Sequence, residues 1–297
     1  MRITNNLGLP DPIVQAVAND TYTGGAANIN ISVSSLDKPV RQRWLERLHR
    51  DEISEDAADR IWALLGSAIH SILERANVDG IAEERLSVMV AGWRVSGAFD
   101  HFTLGEGVLS DYKVTSVWSI RDGGRSAWKA QLNIYAHLLR AAGHVVRSVR
   151  AIAIARDWRK NEFLRYGSDG YPPHQVVVIE LPLWTPEECD AYLLERVTAH
   201  QAASTDALPH CTREERWQRD AVWAVVKDGN KRATKLCASE AEAIAVIGEA
   251  KKMHVEFRPG IAVRCEQYCS VSEQCRAIGD GQWQSGELET DSVEVAP

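Results

Sequence analysis

Residues 97–135 contain three short motifs: G-A-F-D at 97–100, D-Y-K at 111–113 and Q-L-N-I-Y at 131–135. The first two lie in apolar stretches that predict neighbouring β-strands joined by a turn at 105–107. Successive side chains of a strand point to opposite faces, so Asp111 and Lys113 share a face. Charged groups in the centre of a sheet are costly unless they are paired or bound to a metal. Asp100, Asp111 and Lys113 therefore predict a metal site, in which the lysine would orient a water.

The composition predicts a globular protein. A chain of 297 residues with 45% hydrophobic content can form one large domain, or a catalytic domain with a smaller appendage. We find no apolar run of about 18 to 20 residues and no secretory leader pattern, so we expect a cytoplasmic protein without a membrane partner. The net charge of -7 argues against indiscriminate coating of nucleic acid, but it does not exclude a local basic groove.

Periodicity and turn signals place further elements around the motifs. We expect a helix from Ser54 to Glu74 with one apolar face turned inward, and another from Ser126 to Leu139. T-P-E-E at 185–188 is a capping box and predicts the start of a third. The predicted strands are 85–90, 92–104, 108–115, 149–155 and 175–183. The expected regions are an arm and helix at 1–55, a core at 56–205, a hairpin, helix and cysteine region packed on the core at 206–278, and a disordered acidic tail at 279–297.

Two of the predicted helices carry polar side chains that are candidates for the same site. His70 and Glu74 lie one helical turn apart, upstream of the acids. A lone histidine on a helix is usually a core or surface residue, but this position favours His70 as a metal ligand. Glu74 is a candidate for a supporting carboxylate or a ligand of a second ion, and a solvated glutamate is an equal alternative. Gln131 and Tyr135 share a helix face and are further candidates for the site. The alternative for Gln131 is a hydrogen bond at the sheet edge, and the alternative for Tyr135 is packing in the core.

The order G-S-A-I-H-S-I-L-E at 66–74, G-A-F-D, D-Y-K and Q-L-N-I-Y resembles the PD-(D/E)XK nuclease superfamily. The likeness is to its RecB-type branch, which includes CRISPR-adaptation nucleases and phage exonucleases, and covers about residues 60–160. It implies an α/β, restriction-endonuclease-like core with a mixed central β-sheet flanked by helices and a C-terminal cysteine-cluster extension. It also implies a site for Mg²⁺ or Mn²⁺ whose ligands are His70, Asp100, Asp111 and the backbone carbonyl of Tyr112.

The residue types suit phosphodiester hydrolysis, because hard cations held by carboxylates stabilise charge on the phosphate, the nucleophilic water and the leaving alkoxide. By the resemblance, Lys113 positions or activates the attacking water, and Gln131 and Tyr135 support the site or contact DNA. Basic and aromatic side chains nearby are candidates for DNA phosphates and unpaired bases, with a solvated loop and buried tryptophans as the alternative. These candidates are Arg121, Arg125, Arg156, Arg159, Lys160, Trp118, Trp128 and Trp158.

Cys265, Cys269 and Cys275 form a C-x3-C-x5-C cluster near the C-terminus. A closed site needs a fourth ligand. We favour Cys211 because it lies in a loop, whereas Cys189 and Cys237 suit small buried positions. Zinc is one candidate, although structural zinc sites usually contain C-x2-C pairs. The resemblance favours a 4Fe-4S cluster, since several RecB-type nucleases hold one with three C-terminal cysteines and a distant fourth that precedes the core; here the fourth would follow it.

These features together lead us to expect a DNA nuclease, most simply an exonuclease acting at DNA ends or single strands without sequence specificity. Its expected setting is phage or bacterial recombination or repair, in the cytoplasm of a bacterium or a phage-infected host. No G-x-x-x-x-G-K-[ST] loop occurs, so no helicase is expected in this chain. The alternatives are a structure-selective endonuclease, a CRISPR-adaptation trimming nuclease, and a catalytically inactive DNA-binding subunit. A single-strand annealing protein is a candidate partner by analogy, and the oligomeric state is open.

Overall fold

The computed structural model describes residues 2–20, 29–76, 79–121, 126–168, 170–248 and 252–281. The helices are α1 Asp11–Ala18, α2 Val33–Leu36, α3 Val40–Leu48, α4 Ile61–Glu74, α5 Val117–Arg121, α6 Ser126–Ala141, α7 Lys160–Tyr166, α8 Pro186–Ala202, α9 Glu240–Ile247, α10 Val263–Gln267 and α11 Ser272–Ala277. The strands are β1 Arg2–Thr4, β2 Ile31–Ser32, β3 Ser54–Asp56, β4 Ile81–Ala82, β5 Arg85–Val90, β6 Trp93–Ala98, β7 His101–Thr103, β8 Val108–Thr115, β9 Ser148–Ala155, β10 Val176–Leu181, β11 Gln218–Arg219, β12 Val222–Lys227, β13 Ala233–Cys237, β14 Met253–Arg258 and β15 Ile261–Ala262. The expected acidic tail lies outside the described residues from position 282 onward.

The chain divides into two compact units, and a short N-terminal segment belongs to the second. The first comprises Met1–Lys38 and Asp51–Ala207, and the second comprises Pro39–Arg50 and Leu208–Pro297. The break after Ala207 lies close to the expected boundary at 205/206. Helix α3 is grouped with the C-terminal segment, so the arm expected at 1–55 is split between the units. The Ser270 hydroxyl donates a hydrogen bond of 2.8 Å to the Glu46 carboxylate and so links α3 to that segment.

A five-stranded mixed sheet forms the centre of the first unit. Its order is β10-β9-β8-β7-β4, in which β8 and β9 are parallel and the other neighbours are antiparallel. Strand β8, which carries Asp111, is the middle strand, as the sequence predicted. Leu109 of β8 and Val149 of β9 are fully buried, and they share the core with apolar residues of α6. The mixed sheets and their helices confirm the α/β class.

Two helices of the first unit fix the elements around Asp111. Helix α6 contacts β5, β8 and β9. Helix α8 begins with the predicted capping box, since the Thr185 hydroxyl accepts from the Glu188 N–H and the Glu188 carboxylate accepts from the Thr185 N–H. Arg196 of α8 donates to the carbonyl oxygens of Leu36 and Lys38 at 3.1 and 2.6 Å. These bonds hold the C-terminal end of α2, a helix that also contacts β6.

Two sequence predictions differ from the structure. The strand expected at 92–104 is interrupted before His101, because the chain leaves β6 at Ala98 and enters β7 after Asp100. The helix expected from Ser54 begins at Ile61, after strand β3 and a 3-10 helix. No residue of α4 is buried, and Trp62 and Ile72 are 56% and 55% exposed. The inward apolar face predicted for this helix is therefore only partly covered, since Leu64 and Ile69 are half-buried and α4 contacts β8.

The second unit contains a smaller β structure. Strands β13-β12-β14 form an antiparallel sheet, and α9 covers it with a core of Val225, Cys237 and Ala243. Ser239 caps α9 by accepting from the Glu242 N–H. Strands β11 and β15 pair separately, followed by α10 and α11, which carry Cys265 and Cys275. Among the described residues of both units, no helix has the length and apolar character required to cross a membrane.

Candidate metal centre

His70, Glu83 and Asp100 form a group of potential metal ligands in the first unit. One ligand atom from each lies within 4.8 Å of the other two. The His70 Nδ1 atom is 3.3 Å from Asp100 Oδ1 and 3.7 Å from Glu83 Oε1. Asp100 is buried and the other two are partly buried, so the group lies at the wall of the fold and remains accessible.

The backbone around Asp100 holds its carboxylate in place. Asp100 lies between β6 and β7, and its Oδ2 accepts the Tyr112 N–H of β8 at 2.6 Å. Its carbonyl accepts the Glu83 N–H at 3.2 Å. Glu83 has a φ of +52°, in the left-handed region that is unfavourable for a residue with a Cβ, and this conformation occurs between β4 and β5. The backbone therefore brings two carboxylates to the histidine.

Asp111 and Lys113 extend this group along β8. Their side chains share a face, and Lys113 Nζ lies 2.7 Å from Asp111 Oδ2. The same ammonium donates to Gln131 Oε1 of α6 at 2.8 Å. Gln131 Nε2 in turn donates to the Tyr135 hydroxyl at 3.2 Å. A chain of polar contacts thus runs from the central strand to α6 and fixes the position of the Lys113 ammonium.

Burial and hydrogen bonding shift the pKa values of three groups in the site. Burial raises the pKa of Asp111 to about 6, an effect that Lys113 opposes and Asp100 reinforces. Burial alone would lower the pKa of His70, but hydrogen bonds to Asp100 and Glu83 raise it to about 10. Burial also raises the pKa of Tyr135, which keeps this phenol protonated. The histidine therefore carries a proton at neutral pH, in the position where a metal ion would replace that proton.

A cavity of about 620 Å³ contains all of these groups. Its wall includes His70, Glu83, Asp100, Asp111, Lys113, Gln131 and Tyr135, together with Arg85, Lys38 and the first residues of α2. The sequence predicted most of the acidic and polar members, but it missed Glu83, Arg85 and Lys38. Two of the missed residues are cations, of the type that binds phosphate oxygens.

Glu74 does not belong to this group, contrary to the expectation from its spacing to His70. It is the last residue of α4, it is exposed, and it is not part of the cavity wall. Glu83 supplies the nearby carboxylate instead. The Tyr112 ring contacts the His70 ring edge to face, with centroids 6.2 Å apart. The role of the Tyr112 carbonyl as a metal ligand stays a prediction.

The DNA-contact candidates divide into buried and exposed side chains. Trp128 is 7% exposed and lies in the core, and the Trp158 indole donates to the Pro172 carbonyl at 2.8 Å. Trp158 is partly buried and packs against the same core. Trp118 is 65% exposed, and the Arg156 guanidinium lies 4.4 Å from the centroid of the exposed Trp62 ring. Arg159 and Lys160 are exposed at the start of α7, whereas Arg125 and the Arg121 side chain lie outside the described residues.

The second unit holds the four cysteines chosen from the sequence. Burial raises the pKa of Cys211 to about 12, with further contributions from Glu215 and from the thiols of Cys265, Cys269 and Cys275. The four thiols are therefore near enough to interact electrostatically. The two alternative cysteines are buried within other elements: Cys189 Sγ donates to the Asn133 carbonyl at 3.6 Å, and Cys237 packs under α9.

A single zinc ion and a four-iron cluster would hold the four sulfur atoms at different separations. A tetrahedral Zn–S distance of about 2.3 Å places neighbouring sulfurs about 3.8 Å apart. Among the described residues, His70, Glu83 and Asp100 are a group whose three ligand atoms all lie within 4.8 Å of one another. The cysteine sulfurs form no such group in the part of the chain that the structure describes. A four-iron cluster holds its cysteines at its corners, farther apart than a single ion does.

No known protein family and no curated protein matches this sequence. A solved structure described as "Crystal structure of SSO0001" is similar to this chain, with 16% sequence identity and a TM-score of 0.45. The similarity covers 65% of this chain and 85% of that one. A likeness at this level is no basis for a statement about the function of this protein.

Proposed function

We propose that this protein is a divalent-metal-dependent DNA nuclease of the PD-(D/E)XK superfamily, with a restriction-endonuclease-like core in its first unit. The observation that carries the proposal is the meeting of His70, Asp100, Asp111 and Lys113 in one cavity. These residues come from α4, the turn before β7, and the central strand β8. Asp111 is a buried carboxylate paired with the Lys113 ammonium at 2.7 Å, and buried charged groups that line a cavity are common at functional sites.

The donor set fits Mg²⁺ or Mn²⁺. Carboxylate oxygens of Asp100, Asp111 and Glu83 are hard ligands, and the His70 imidazole favours Mn²⁺ among these ions. A bound ion would supply charge stabilisation at the scissile phosphate and lower the pKa of a coordinated water.

The protein's own residues have separate roles in this scheme. Lys113 orients the attacking water and balances charge on the phosphate. Gln131 and Tyr135 hold Lys113 in position. Arg85 and Lys38 on the cavity wall are placed to bind phosphate oxygens of the DNA backbone.

We further propose that Cys211, Cys265, Cys269 and Cys275 hold a 4Fe-4S cluster with a structural role. The resemblance of the sequence to RecB-type nucleases supports the cluster over zinc, and the electrostatic interaction among the four thiols supports a shared site. Anaerobic purification followed by metal analysis tests this proposal. Brown protein with about four irons per chain is the expected result, and colourless protein with stoichiometric zinc and no iron would contradict it.

The nuclease proposal is tested by incubating the protein with end-labelled linear DNA and with closed circular DNA, in Mg²⁺, Mn²⁺ or a chelator. An exonuclease at DNA ends degrades linear DNA only, and only with metal. Nicking of closed circles would indicate an endonuclease instead. DNA binding without cleavage under every metal condition would indicate a catalytically inactive subunit and would refute the nuclease. Glu74→Gln is a suitable control, since Glu74 is exposed outside the cavity and its replacement is expected to leave cleavage unchanged.

A further inference from the structure

Among the described residues of the second unit, Arg41 of α3 is the most completely buried charged side chain. It is 1% exposed, and its Nε donates to the Cys275 Sγ atom at 3.0 Å, across 234 positions of sequence. Its Nη2 lies 2.7 Å from Asp280 Oδ2. Its Nη1 has no hydrogen-bond partner among the described residues. A guanidinium is always protonated, so a full positive charge is buried against one of the four cysteines.

A neutral thiol is too weak a partner to account for this arrangement. Burying a charge costs several kcal/mol unless an opposite charge and well-formed hydrogen bonds offset it. Asp280 is 29% exposed and supplies one negative charge at the edge. A thiol sulfur is a weak acceptor, whereas a thiolate bound to iron is charged and accepts a much stronger hydrogen bond. The buried guanidinium therefore matches an anionic group at Cys275.

We propose that Arg41 is a positioning residue for the 4Fe-4S cluster, donating an N–H···S hydrogen bond to the Cys275 thiolate and raising the cluster's reduction potential. The inference rests on the proposed cluster. It assigns a role to α3, an N-terminal helix outside the cysteine segment that belongs to the same compact unit. Hydrogen bonds to cluster sulfurs and nearby positive charge stabilise the reduced, more negative state.

The test compares wild-type protein with Arg41→Gln and with Arg47→Gln, all purified anaerobically. Arg47 lies on the same helix but is exposed, so its replacement removes the same charge without removing a buried hydrogen bond. Iron and sulfide are quantified first, and the midpoint potential is then measured by redox titration followed by electron paramagnetic resonance. We expect Arg41→Gln to lower the ratio of reduced to oxidised cluster about tenfold at fixed potential, which corresponds to about 59 mV for one electron. Arg47→Gln should match the wild type.

The outcomes separate the two proposals. Wild-type protein without iron would refute the cluster, and with it this role for Arg41. Wild type and Arg41→Gln with full clusters and the same potential would overturn the role of Arg41 alone. If Arg41→Gln fails to fold, wild-type protein grown with ¹⁵N-labelled arginine provides a second measurement. In pulsed electron paramagnetic resonance spectra of the reduced cluster, we expect a hyperfine coupling to the ¹⁵N nuclei of arginine. A fully loaded cluster without that coupling would contradict the hydrogen bond from Arg41 to Cys275.

Discussion

Glu83 illustrates what a single residue contributes to this site. It lies in a turn between two short strands with a φ of +52°, and its carboxylate reaches to 3.7 Å from the His70 imidazole. We expect Glu83→Gln to weaken Mn²⁺ binding about tenfold or more, because a carboxylate at the metal is replaced by a neutral amide. Isothermal titration calorimetry measures this change. Equal Mn²⁺ affinities for Glu83→Gln and wild type would show that Glu83 does not take part.

Protonation of His70 and Asp111 should make metal binding depend on pH. The pKa of His70 is raised to about 10 and that of Asp111 to about 6, so at pH 7 the histidine is protonated and the aspartate is mostly ionised. Metal binding must displace the histidine proton. The affinity for Mn²⁺ should therefore rise with pH between 7 and 9, by up to about tenfold per unit, and fall further below pH 6. A flat affinity between pH 7 and 9 would contradict the assigned protonation of His70.

The sequence could predict the acids and the lysine of the site, but not all of their companions. Asp111 and Lys113 are recognisable because charges interrupt an apolar alternation in one strand. Glu83 gives no such signal, since it lies in a turn and its backbone conformation is set by contact with Asp100. Arg41 could not be paired with Cys275 either, because local sequence carries no information on a contact across 234 positions.

At the scale of elements, the close approach of β6 to α6 and α2 depends on Gly97. A Cβ at this position would lie 2.5 Å from Tyr135 Cε1 and 2.7 Å from Val33 Cγ2. We expect Gly97→Ala to destabilise the protein by roughly 1 to 3 kcal/mol through overpacking and to displace Tyr135 from Gln131. Urea unfolding measures the first effect. Gly105→Ala is the matched control, because no atom lies within 4 Å of its added Cβ; equal stability of the two variants would contradict the tight packing.

Elements with local signals were predicted more accurately than elements determined by tertiary packing. The start of α8 follows from T-P-E-E, and β8 occupies the predicted residues 108–115. The start of α4 was misplaced because residues 54–56 pair with β1 and residues 57–60 form a 3-10 helix, which helical periodicity does not reveal. The expected burial of α4 was met only in part, because an apolar stripe shows where side chains align, and tertiary structure decides whether they are covered.

At the scale of the molecule, the two units should respond differently to loss of the cluster. Cys265→Ser with Cys269→Ser removes two proposed ligands from the second unit. We expect faster amide hydrogen exchange in α3, α10 and α11, with protection retained in β8 and β9, because the latter belong to the other unit. Amide hydrogen exchange followed by mass spectrometry measures the protection of each of these segments separately. Unchanged protection of α3, α10 and α11 in the double variant would contradict a structural role for the cysteines.

The central claim is that the cavity around Asp111 hydrolyses phosphodiester bonds, and one comparison tests it most directly. Wild type and Asp111→Asn are incubated with end-labelled linear DNA in Mn²⁺, and release of labelled nucleotide is followed over time. The substitution keeps the size of a buried side chain but removes its negative charge beside Lys113. We predict metal-dependent release by wild type and a loss of about a hundredfold or more in the variant. Equal rates for the two proteins, or no release by wild type at all, would contradict the assignment.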